Sequence, residues 1–393
     1  MKILTFSTLF PNEIFKRHGV FVENRLNRLV LHESISATVI APVPWFPFKH
    51  GFFGVYAKYA KVPLFETRNG IDVYHPRYLN IPKVGMSIAP FFMKRAATKL
   101  IKSLIKSGLE FDLIDAHYFY PDGVAACSLG KKFDKPVVIT ARGTDISLIP
   151  EYYLPGKMIK KAAGQAAALI TVCDALKKVL LKMQVPDEKI TVLRNGVDLV
   201  QFYPPKDREK LRIELGIGGF TLLSVGHLIE RKGHHLVIEA LLDLPDAKLL
   251  IAGDGENEKS LKKRVTELNL ETRVTFLGNV PHNELYKYYG SADALVLASS
   301  REGWANVLLE SMACGTPVVA TNLWGTPEVV QTADAGILME ERSAKGITNA
   351  VLSIMQRHSE RNKTRLYAEQ FDWETVSRGQ KEIFEKVIEG HNT

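Results

Sequence analysis

The sequence predicts an α/β protein with two doubly wound parallel sheets, and two observations lead to this prediction. Short runs of β-branched residues alternate with longer helical patterns along the whole chain, as in βαβ units. With 393 residues the chain is also too long for one ordinary hydrophobic core. The alternation restarts after NGVDLVQFYPPKDRE, a stretch with a turn dipeptide and two prolines, which is typical of a linker. We therefore expect two Rossmann-like domains, 1–200 and 201–372, that face a cleft.

The predicted elements follow one another in regular order. Helical patterns over 20–31, 90–107 and 122–132 separate most strand candidates of the first half. These strand candidates are KILTFS, ATVIAP, DVYHP, LIDAH, PVVIT, ALITV and KITVLRNG. The second half gives FTLLSVG, AKLLIAGDG, VTFLG, ALVLAS and PVVAT. In doubly wound sheets ligands bind outside the carboxyl ends of the strands, so functional residues are expected there.

The charge is distributed unevenly between the halves. A hydrophobic fraction of 46% and a charged fraction of 24% are typical of a globular protein. Residues 1–200 contain 28 Lys and Arg against 16 Asp and Glu, whereas residues 201–393 contain 23 against 27. The first domain is therefore expected to face an anionic partner. Since no nucleic-acid-binding module is recognisable, a membrane surface or a phosphorylated acceptor is favoured over nucleic acid.

The termini and cysteines indicate the compartment. MKILTFSTLFPNE is too short to span a bilayer and lacks a small-residue cleavage site, so it is interpreted as a first strand. Cys127, Cys173 and Cys314 lie in apolar surroundings without metal-like spacing. They are expected to be buried thiols in a reducing cytosol. The eleven histidines form no zinc pattern, and no metal site is predicted.

Two glycine-containing loops follow strands of the second half. In SVGHLIERKG, Gly226 permits a tight turn and the side chains of Arg231 and Lys232 can reach phosphate oxygens. In LIAGDGEN, Gly253 and Gly255 flank an aspartate. Lys and Arg are common in loops and Asp-Gly is a common turn, so neither pattern is specific alone.

The stretch REGWANVLLESMACGTPVVAT places two glutamates around an apolar run. Glu302 lies in a loop after a strand, and Glu310 lies in the following helix, with Asn306 as the expected N-cap. The amides of Gly303, Trp304, Ala305, Asn306 and Val307 are expected to form an anion- or hydroxyl-binding helix terminus. The two carboxylates could instead be surface residues that cap a core helix.

The combination of motifs resembles the retaining glycosyltransferases of family 4, which have the GT-B fold, of the type that builds bacterial surface polysaccharides. The E-x7-E arrangement of Glu302 and Glu310 before SMACGTPVVAT is the specific feature. Further similar segments occur in the family's order: FPNEIFKRHGVFVENR, RNGVD, RKG, AGDG and GTPEVV. The resemblance extends over most of the chain.

The resemblance implies a nucleotide-diphosphate sugar as donor, with UDP or GDP as the expected nucleotide. Glu310 would bind the ribose hydroxyls, Glu302 the donor sugar, and Lys232 would neutralise the diphosphate, so neither a metal nor a cofactor is expected. Positioned cations act most strongly where charge develops on the leaving group. The family usually has Arg directly after the loop glycine, where this chain has His227. Arg231, or His227 when protonated, would then supply the charge.

In the first domain the resemblance assigns four residues. Gly19 in KRHGVF would let the backbone approach the donor. His117 in LIDAHYFYPDG would lie near the donor sugar and acceptor, although a histidine at a strand end is often structural. We expect His117, Lys232 and Glu302 to be catalytic. ARGTDI is similar to a His-Gly-Thr-Asp motif with Arg142 in place of His, so Arg142 and Asp145 are expected on the acceptor side. The family also implies a C-terminal helix over 373–390 that packs back on this domain.

Two segments of the first domain suggest how the acceptor is met. Aromatic residues are concentrated after a strand end, among lysines and prolines: Trp45, Phe46, Phe48, Phe52 and Phe53. They suit insertion among lipid headgroups or, alternatively, a covered acceptor pocket. FFMKRAATKLIKSLIKSG has the pattern of a basic amphipathic helix, or of an ordinary helix with solvated lysines. We therefore expect a cytoplasmic enzyme, peripherally associated with the inner face of the cytoplasmic membrane, with a lipid-linked or saccharide acceptor.

Two other functions stay open. A GT-B sugar-nucleotide epimerase would share the fold and the nucleotide cleft, but it would need its own acid and base residues, which the E-x7-E block does not supply. A non-catalytic nucleotide-sugar-binding module is the second, since His227 departs from the family pattern. Formation of a glycosidic product distinguishes all three.

Overall fold

The computed structural model describes residues 1–80, 85–357 and 360–393. The chain forms two compact units, Met1–Arg194 with Glu374–Thr393, and Asn195–Trp373. The predicted division after residue 200 therefore falls inside the second unit, because the NGVD turn belongs to that unit. Among the described residues, no helix has both the length and the apolar composition that a bilayer-spanning segment requires.

An eight-stranded sheet forms the centre of the first unit, in the order β10-β9-β8-β7-β1-β2-β5-β4. All neighbours are parallel except β4, which pairs antiparallel with β5. The strands are β1 Lys2–Phe6, β2 Ser36–Ile40, β3 Val43–Pro44, β4 Phe65–Arg68, β5 Ile71–Tyr74, β6 Arg77–Tyr78, β7 Leu113–His117, β8 Val137–Ala141, β9 Ala168–Thr171 and β10 Ile190–Val192, with β3 and β6 forming a separate pair. The helices are α1 Val20–Glu33, α2 Val55–Lys61, α3 Gly85–Lys106, α4 Val124–Phe133, α5 Thr144–Ser147, α6 Tyr153–Gln165 and α7 Asp174–Lys182.

The second unit contains a six-stranded parallel sheet in the order β13-β12-β11-β14-β15-β16. Its strands are β11 Phe220–Val225, β12 Ala247–Ala252, β13 Val274–Gly278, β14 Ala294–Leu297, β15 Val318–Thr321 and β16 Gly336–Met339. Its helices are α8 Arg208–Glu214, α9 His234–Ala240, α10 Glu258–Glu267, α11 Leu285–Ser291, α12 Asn306–Ala313, α13 Thr326–Val329, α14 Ala344–Arg357 and α15 Arg361–Ala368. This is the Rossmann strand order, in which the winding direction reverses between β11 and β14.

The last helix, α16 Trp373–Asn392, returns to the first unit. Phe384 is fully buried there, in a hydrophobic cluster with Val22 and Leu26 of α1 and Ile3 of β1. Continuous apolar strands such as VVITA are buried on both faces, as expected where helices cover both sides of a parallel sheet. All three cysteines are buried.

The structure contains four strands that the sequence did not predict, namely β3, β4, β6 and β16. Two of them have only two residues, too few to show an alternating pattern. The sequence nevertheless contained a signal for the hairpin of β4 and β5, the dipeptide Asn69-Gly70. Both residues have positive φ in the turn between the two strands. Asn-Gly is the preferred dipeptide of such tight hairpins.

Candidate active site

The predicted donor residues of the second unit lie at the carboxyl ends of β11 and β14, between which the winding direction of the chain reverses. Gly226 directly follows β11, and the loop with Glu302 follows β14, the adjacent strand. In open α/β sheets this crevice outside the carboxyl ends is the place where ligands bind. The order of the strands thus brings together two loops that are more than 70 residues apart in sequence.

Glu302 is held by two cations at this strand end. Its Oε1 accepts hydrogen bonds from Lys232 Nζ at 2.7 Å and from Arg231 Nη1 at 3.3 Å. Arg231 Nη1 also donates to the carbonyl of Arg301 at 2.6 Å. Burial alone would raise the pKa of Glu302, but the charges of Lys232 and Arg231 outweigh it and lower this pKa. The carboxylate is therefore ionised and fixed against the two basic side chains.

Close backbone contact between two turns positions Lys232. Gly253 has a φ of 146°, and a Cβ at this position would lie 1.9 Å from the carbonyl oxygen of Gly226. Only glycine allows this approach. Lys232 Cε lies 3.4 Å from where a Cβ on Gly226 would be, so the lysine crosses this turn directly. Gly255 also packs on a backbone segment, since a Cβ there would lie 2.5 Å from the carbonyl oxygen of Leu228.

The basic residues of this loop differ in their surroundings. The side chain of His227 is 72% exposed, and its Nδ1 lies 3.8 Å from Asp254 Oδ1. Arg231, in contrast, braces the Glu302 loop directly. Since Arg231 contacts the Glu302 cluster and His227 does not, the geometry favours Arg231 as the substitute for the family arginine.

Sequence reasoning missed His234 behind this loop. Its Nδ1 lies 2.9 Å from Ser224 Oγ, and its Nε2 lies 3.3 Å from the carbonyl oxygen of His227. Burial lowers the pKa of His234 to about 4, so the ring is neutral at physiological pH. The adjacent His-His pair gave no indication of this role, because only the packing of α9 against β11 buries one ring.

Glu310 lies on the second turn of α12 and has its own partners. Its Oε2 accepts a hydrogen bond from Tyr289 at 2.8 Å, and its Oε1 lies 3.0 Å from His282 Nε2. Gln201 Nε2 contacts the other ring nitrogen of His282 at 3.1 Å. As an amide nitrogen can only donate, this contact puts the ring proton on Nε2, directed at Glu310. Tyr289, His282 and Gln201 were not found by sequence reasoning, since they lie outside the recognised motifs.

The start of α12 corrects one prediction. The N-cap is Ala305 rather than Asn306, which is the first helical residue. Asn306 Oδ1 instead accepts a hydrogen bond from Asn195 Nδ2 at 3.2 Å, which links the helix to the RNGVD segment. The side chain of Trp304 is buried against Phe371. The predicted use of the backbone amides from Gly303 to Val307 stays a prediction, and the Trp304 ring is packed inside the unit.

His117 ends β7 in the first unit, within a buried polar cluster. Its Nε2 lies 2.9 Å from Asp115 Oδ2, and Arg142 Nη2 lies 2.7 Å from its Nδ1. Because a guanidinium can only donate, Nδ1 is unprotonated and Nε2 donates to Asp115. Burial, the largest effect, lowers the pKa of His117. The ring is thus neutral with both nitrogens occupied, so the predicted catalytic role requires Arg142 or Asp115 to exchange partners.

The carboxylate of Asp145, which was predicted on the acceptor side, is directed at the backbone. Its carboxylate is fully buried and accepts hydrogen bonds from the backbone amides of Phe119, Arg142 and Gly143 at 2.7–3.2 Å. It therefore orders the turn after β8. Arg142 is itself largely buried against His117 and over the ring of Phe21, so its predicted contact with the acceptor would require the side chain to move.

Arg25 of α1 and Gln380 of α16 join this polar cluster from distant parts of the chain. Gln380 of α16 accepts a hydrogen bond from Arg25 Nε at 2.6 Å and donates to Asp115 Oδ2 at 3.4 Å.

Gly19, the residue before α1, has a φ of 74°, and a Cβ there would lie 2.2 Å from the backbone of Leu9. Gly19 therefore fixes the loop after β1 tightly against the start of α1.

The aromatic segment forms an exposed cluster of rings. Phe46 contacts Phe48, Phe53 and Tyr56 with ring centroids 5.3–6.0 Å apart, and Phe52 packs on Phe53 at 5.5 Å while remaining 86% exposed. Trp45 is half exposed. Helix α3 is different, because Ala89, Met93, Ala97 and Ile101 are buried along one stripe. It is a helix packed on the domain with solvated cations, the second of the two interpretations.

The part of the chain described by the structure contains no group of three or more histidine, cysteine or carboxylate side chains placed to hold a metal ion.

Two family models match the chain, Glycosyltransferase Family 4 over residues 39–201 and Glycosyl transferases group 1 over residues 207–371. One similar protein is TuaC of Bacillus subtilis (strain 168), which is named as a teichuronic acid biosynthesis glycosyltransferase. It is 29% identical over 357 residues, which cover 89% of this chain and 88% of TuaC.

Solved structures share the fold over nearly the full length. The sucrose-phosphate synthase of Thermosynechococcus elongatus has a TM-score of 0.81 at 18% identity and covers 99% of both chains. Alr3699/HepE of Anabaena, solved with UDP, has a TM-score of 0.75 at 22% identity, over 98% of this chain and all of its own. The chain therefore belongs to the family 4 glycosyltransferases and is a hexosyltransferase-type enzyme of the GT-B fold that uses nucleotide sugars.

Proposed function

We propose that this enzyme transfers a sugar from UDP- or GDP-sugar, with retention at the anomeric carbon, to a lipid-linked or oligosaccharide acceptor in the assembly of bacterial surface polysaccharide or glycolipid. The reaction uses neither a metal nor a cofactor. It takes place on the cytoplasmic side of the membrane, where the enzyme associates peripherally with anionic lipid.

The cluster of Lys232, Arg231 and Glu302 is the observation that carries this proposal. When the bond from sugar to diphosphate breaks, negative charge accumulates on the leaving diphosphate. Glu302 already holds the ammonium of Lys232 in place at 2.7 Å, so this cation needs little reorganisation when the charge develops. The two cations exceed the one carboxylate, which leaves net positive charge for an anion that carries no metal.

The nucleotide is bound at Glu310. Tyr289 and His282 each occupy one position on its carboxylate, and each oxygen keeps a second lone pair that can accept a ribose hydroxyl. The pair of partners thus orients the carboxylate without consuming it. HepE was solved with UDP and also with UDP-glucose, which supports a uridine nucleotide.

The acceptor side is supported by the exposed rings around Phe46 and by Lys49, Lys58 and Lys61 near them. Aromatic rings with adjacent lysines suit the interface of an anionic leaflet, where each basic residue contributes about 1 kcal/mol. The name of TuaC refers to teichuronic acid biosynthesis, which supports a surface polymer as the product.

The donor is tested by thermal unfolding with a panel of UDP-, GDP-, ADP- and dTDP-sugars. A ligand at a hundred times its Kd adds about 2.7 kcal/mol, which gives a clear shift of the midpoint. One nucleotide class should stabilise the wild type and Glu271→Ala, an exposed control, but not Glu310→Ala. Equal stabilisation of Glu310→Ala would contradict the assignment of the ribose site.

The stereochemistry and the membrane require separate tests. NMR of the product should show the anomeric configuration of the donor, and an inverted product would exclude retention. Anionic vesicles should sediment the wild type and Leu31→Ser, whereas Phe52→Ser should stay in solution. Failure of the wild type to sediment at low salt would exclude the membrane association.

A further inference from the structure

A basic groove lies in the first unit between β6 and α3. Its volume is about 610 Å³, within the usual size of ligand sites. Four cations line it, Arg77 from β6 and Arg95, Lys99 and Lys102 from α3, together with the apolar side chains of Leu79 and Phe92. The three helical cations have i, i+4 and i+7 spacing, so they share one face of α3.

Among the side chains that the structure describes, no acid balances this charge. The groove has no Asp or Glu in its lining, and the sequence has none between Asp72 and Glu110. Within the described residues none of the four cations makes an ion pair, whereas Lys178 and Lys262 on other helices pair with an acid four residues away. Like charges on one helix face repel each other, so an anion in the groove would relieve this repulsion.

Two buried polar atoms in the groove lining also lack hydrogen-bond partners. Arg77 donates through Nη2 to the carbonyl of Val62, but its Nη1 has no acceptor within the described residues. The hydroxyl of Thr98 is likewise without a partner there. Both atoms are free to accept or donate a further hydrogen bond. A multivalent oxygen ligand can satisfy both after small side-chain rotations.

A second cavity, of about 230 Å³, lies in the same unit at the carboxyl ends of β1 and β2. Asn12, His18 and Tyr59 line that cavity, which suits a sugar with hydroxyl groups and an apolar face. Tyr78 lines both spaces.

We infer that the groove of Arg77, Arg95, Lys99 and Lys102 binds the phosphate or diphosphate group of the acceptor. The inference rests on the proposed transfer to an acceptor and specifies that this acceptor is a glycosyl phosphate or diphosphate. Arginine offers a planar fork that matches phosphate oxygens, and the lysines add point charges. Leu79 and Phe92 provide an apolar border for a hydrocarbon chain attached to the phosphate.

Titration calorimetry with inorganic pyrophosphate tests the site. The wild type should bind pyrophosphate at two sites, the groove and the diphosphate site at Lys232. Lys232→Ala should remove binding at the second site only. Lys99→Glu and Arg95→Glu should each weaken the groove about tenfold or more, because each replaces an attraction with a repulsion. The control Lys182→Glu makes the same charge change on α7 and should leave both sites unchanged. Lys99 and Arg95 isotherms that match this control would overturn the inference.

Two further measurements are needed. Vesicle sedimentation distinguishes membrane headgroups from an acceptor phosphate, and stabilisation by nucleotide sugar separates this inference from the proposed transfer. If Lys99→Glu lowers sedimentation with phosphatidylglycerol vesicles but leaves the pyrophosphate isotherm intact, the groove binds membrane headgroups and the acceptor assignment is overturned. The acceptor assignment is supported if Lys99→Glu loses pyrophosphate binding in the groove but is still stabilised by the nucleotide sugar as the wild type is. If no nucleotide sugar stabilises the wild type while the pyrophosphate site still depends on Lys99, the proposed transfer fails and the groove remains.

Discussion

The polar residues at the strand ends of the two units are arranged in opposite ways. In the second unit, Lys232, Arg231 and Glu302 form a cluster that is partly open to solvent. In the first unit, Asp115, His117, Arg142 and Asp145 are buried and their hydrogen bonds are directed largely at one another or at the backbone.

This difference indicates a division of labour. Charges that keep contact with solvent can exchange a partner for a ligand at small cost. A buried cluster whose charged groups bond largely to one another is rigid, and opening it leaves charges without partners in a medium of low polarity. The second unit is therefore prepared to bind an anion, whereas the cluster of the first unit mainly fixes the geometry of β7, β8 and α16. Each prediction below tests this contrast.

The largest effect is expected for Asp115→Asn. It removes the negative charge that faces the buried side chains of Arg25, His117 and Arg142. Breaking such a buried arrangement should lower the free energy of unfolding by about 3–5 kcal/mol. Urea unfolding measures this value. Asp187→Asn, which breaks an exposed pair with Lys177, should change it by no more than about 1 kcal/mol. Similar losses in both variants would refute the contrast between the units.

Lys232→Ala is expected to act on catalysis rather than on stability. Loss of one positioned charge at a leaving group should lower kcat by about 10²–10³-fold. Arg231 still pairs with Glu302 in this variant, so the unfolding midpoint should fall less than in Asp115→Asn. Initial rates with the donor found in the thermal panel measure the effect, and Lys248→Ala, exposed on the same unit, is the control. Unchanged kcat in Lys232→Ala would exclude the proposed role.

The pH dependence of stability should have opposite signs in the two units. Burial raises the pKa of Asp122 to about 7 from an ordinary value of 3.8, so its contribution to stability is present at low pH and is lost as the pH rises through 7. Burial lowers the pKa of His234 from 6.5 to about 4, so its contribution is present above pH 6.5 and is lost as the pH falls towards 4.

Urea midpoints from pH 4 to 7 test these signs. Relative to Asp122→Asn, the wild type should lose stability with rising pH, by at least about 2 kcal/mol. Relative to His234→Gln, it should gain stability over the same range. A wild-type profile parallel to that of either variant would show that the corresponding group does not titrate as its burial requires.

The smallest effects are expected in the loop that departs from the family pattern. Arg231→Ala removes a bond to Glu302, so we expect donor binding to weaken about tenfold. His227→Ala removes an exposed ring 3.8 Å from a carboxylate, and about threefold or less is expected. Calorimetric Kd values for the donor decide between them. A larger effect for His227 would make the histidine the substitute for the family arginine.

Much of this protein was determined by the sequence alone. The spacing of apolar runs predicted most strands and the two sheets, because period and length distinguish buried strands from helices. The motifs that contain Gly226, Lys232, Glu302 and Glu310 resemble those of family 4 glycosyltransferases, and this resemblance predicted a nucleotide-sugar site. In a parallel sheet the carboxyl ends lie at one edge, so motifs that follow strands come together without further information.

The partners of these residues were decided only by the tertiary structure. Gln380 contacts Asp115 from 265 residues away, and His282 and Tyr289 orient Glu310 from another helix and its preceding turn. Asp145 matched a family motif, yet its backbone contacts turn it into a structural residue. The physical reason is that side-chain partners depend on how helices pack across a sheet, whereas the local pattern of a segment records only which of its faces is buried.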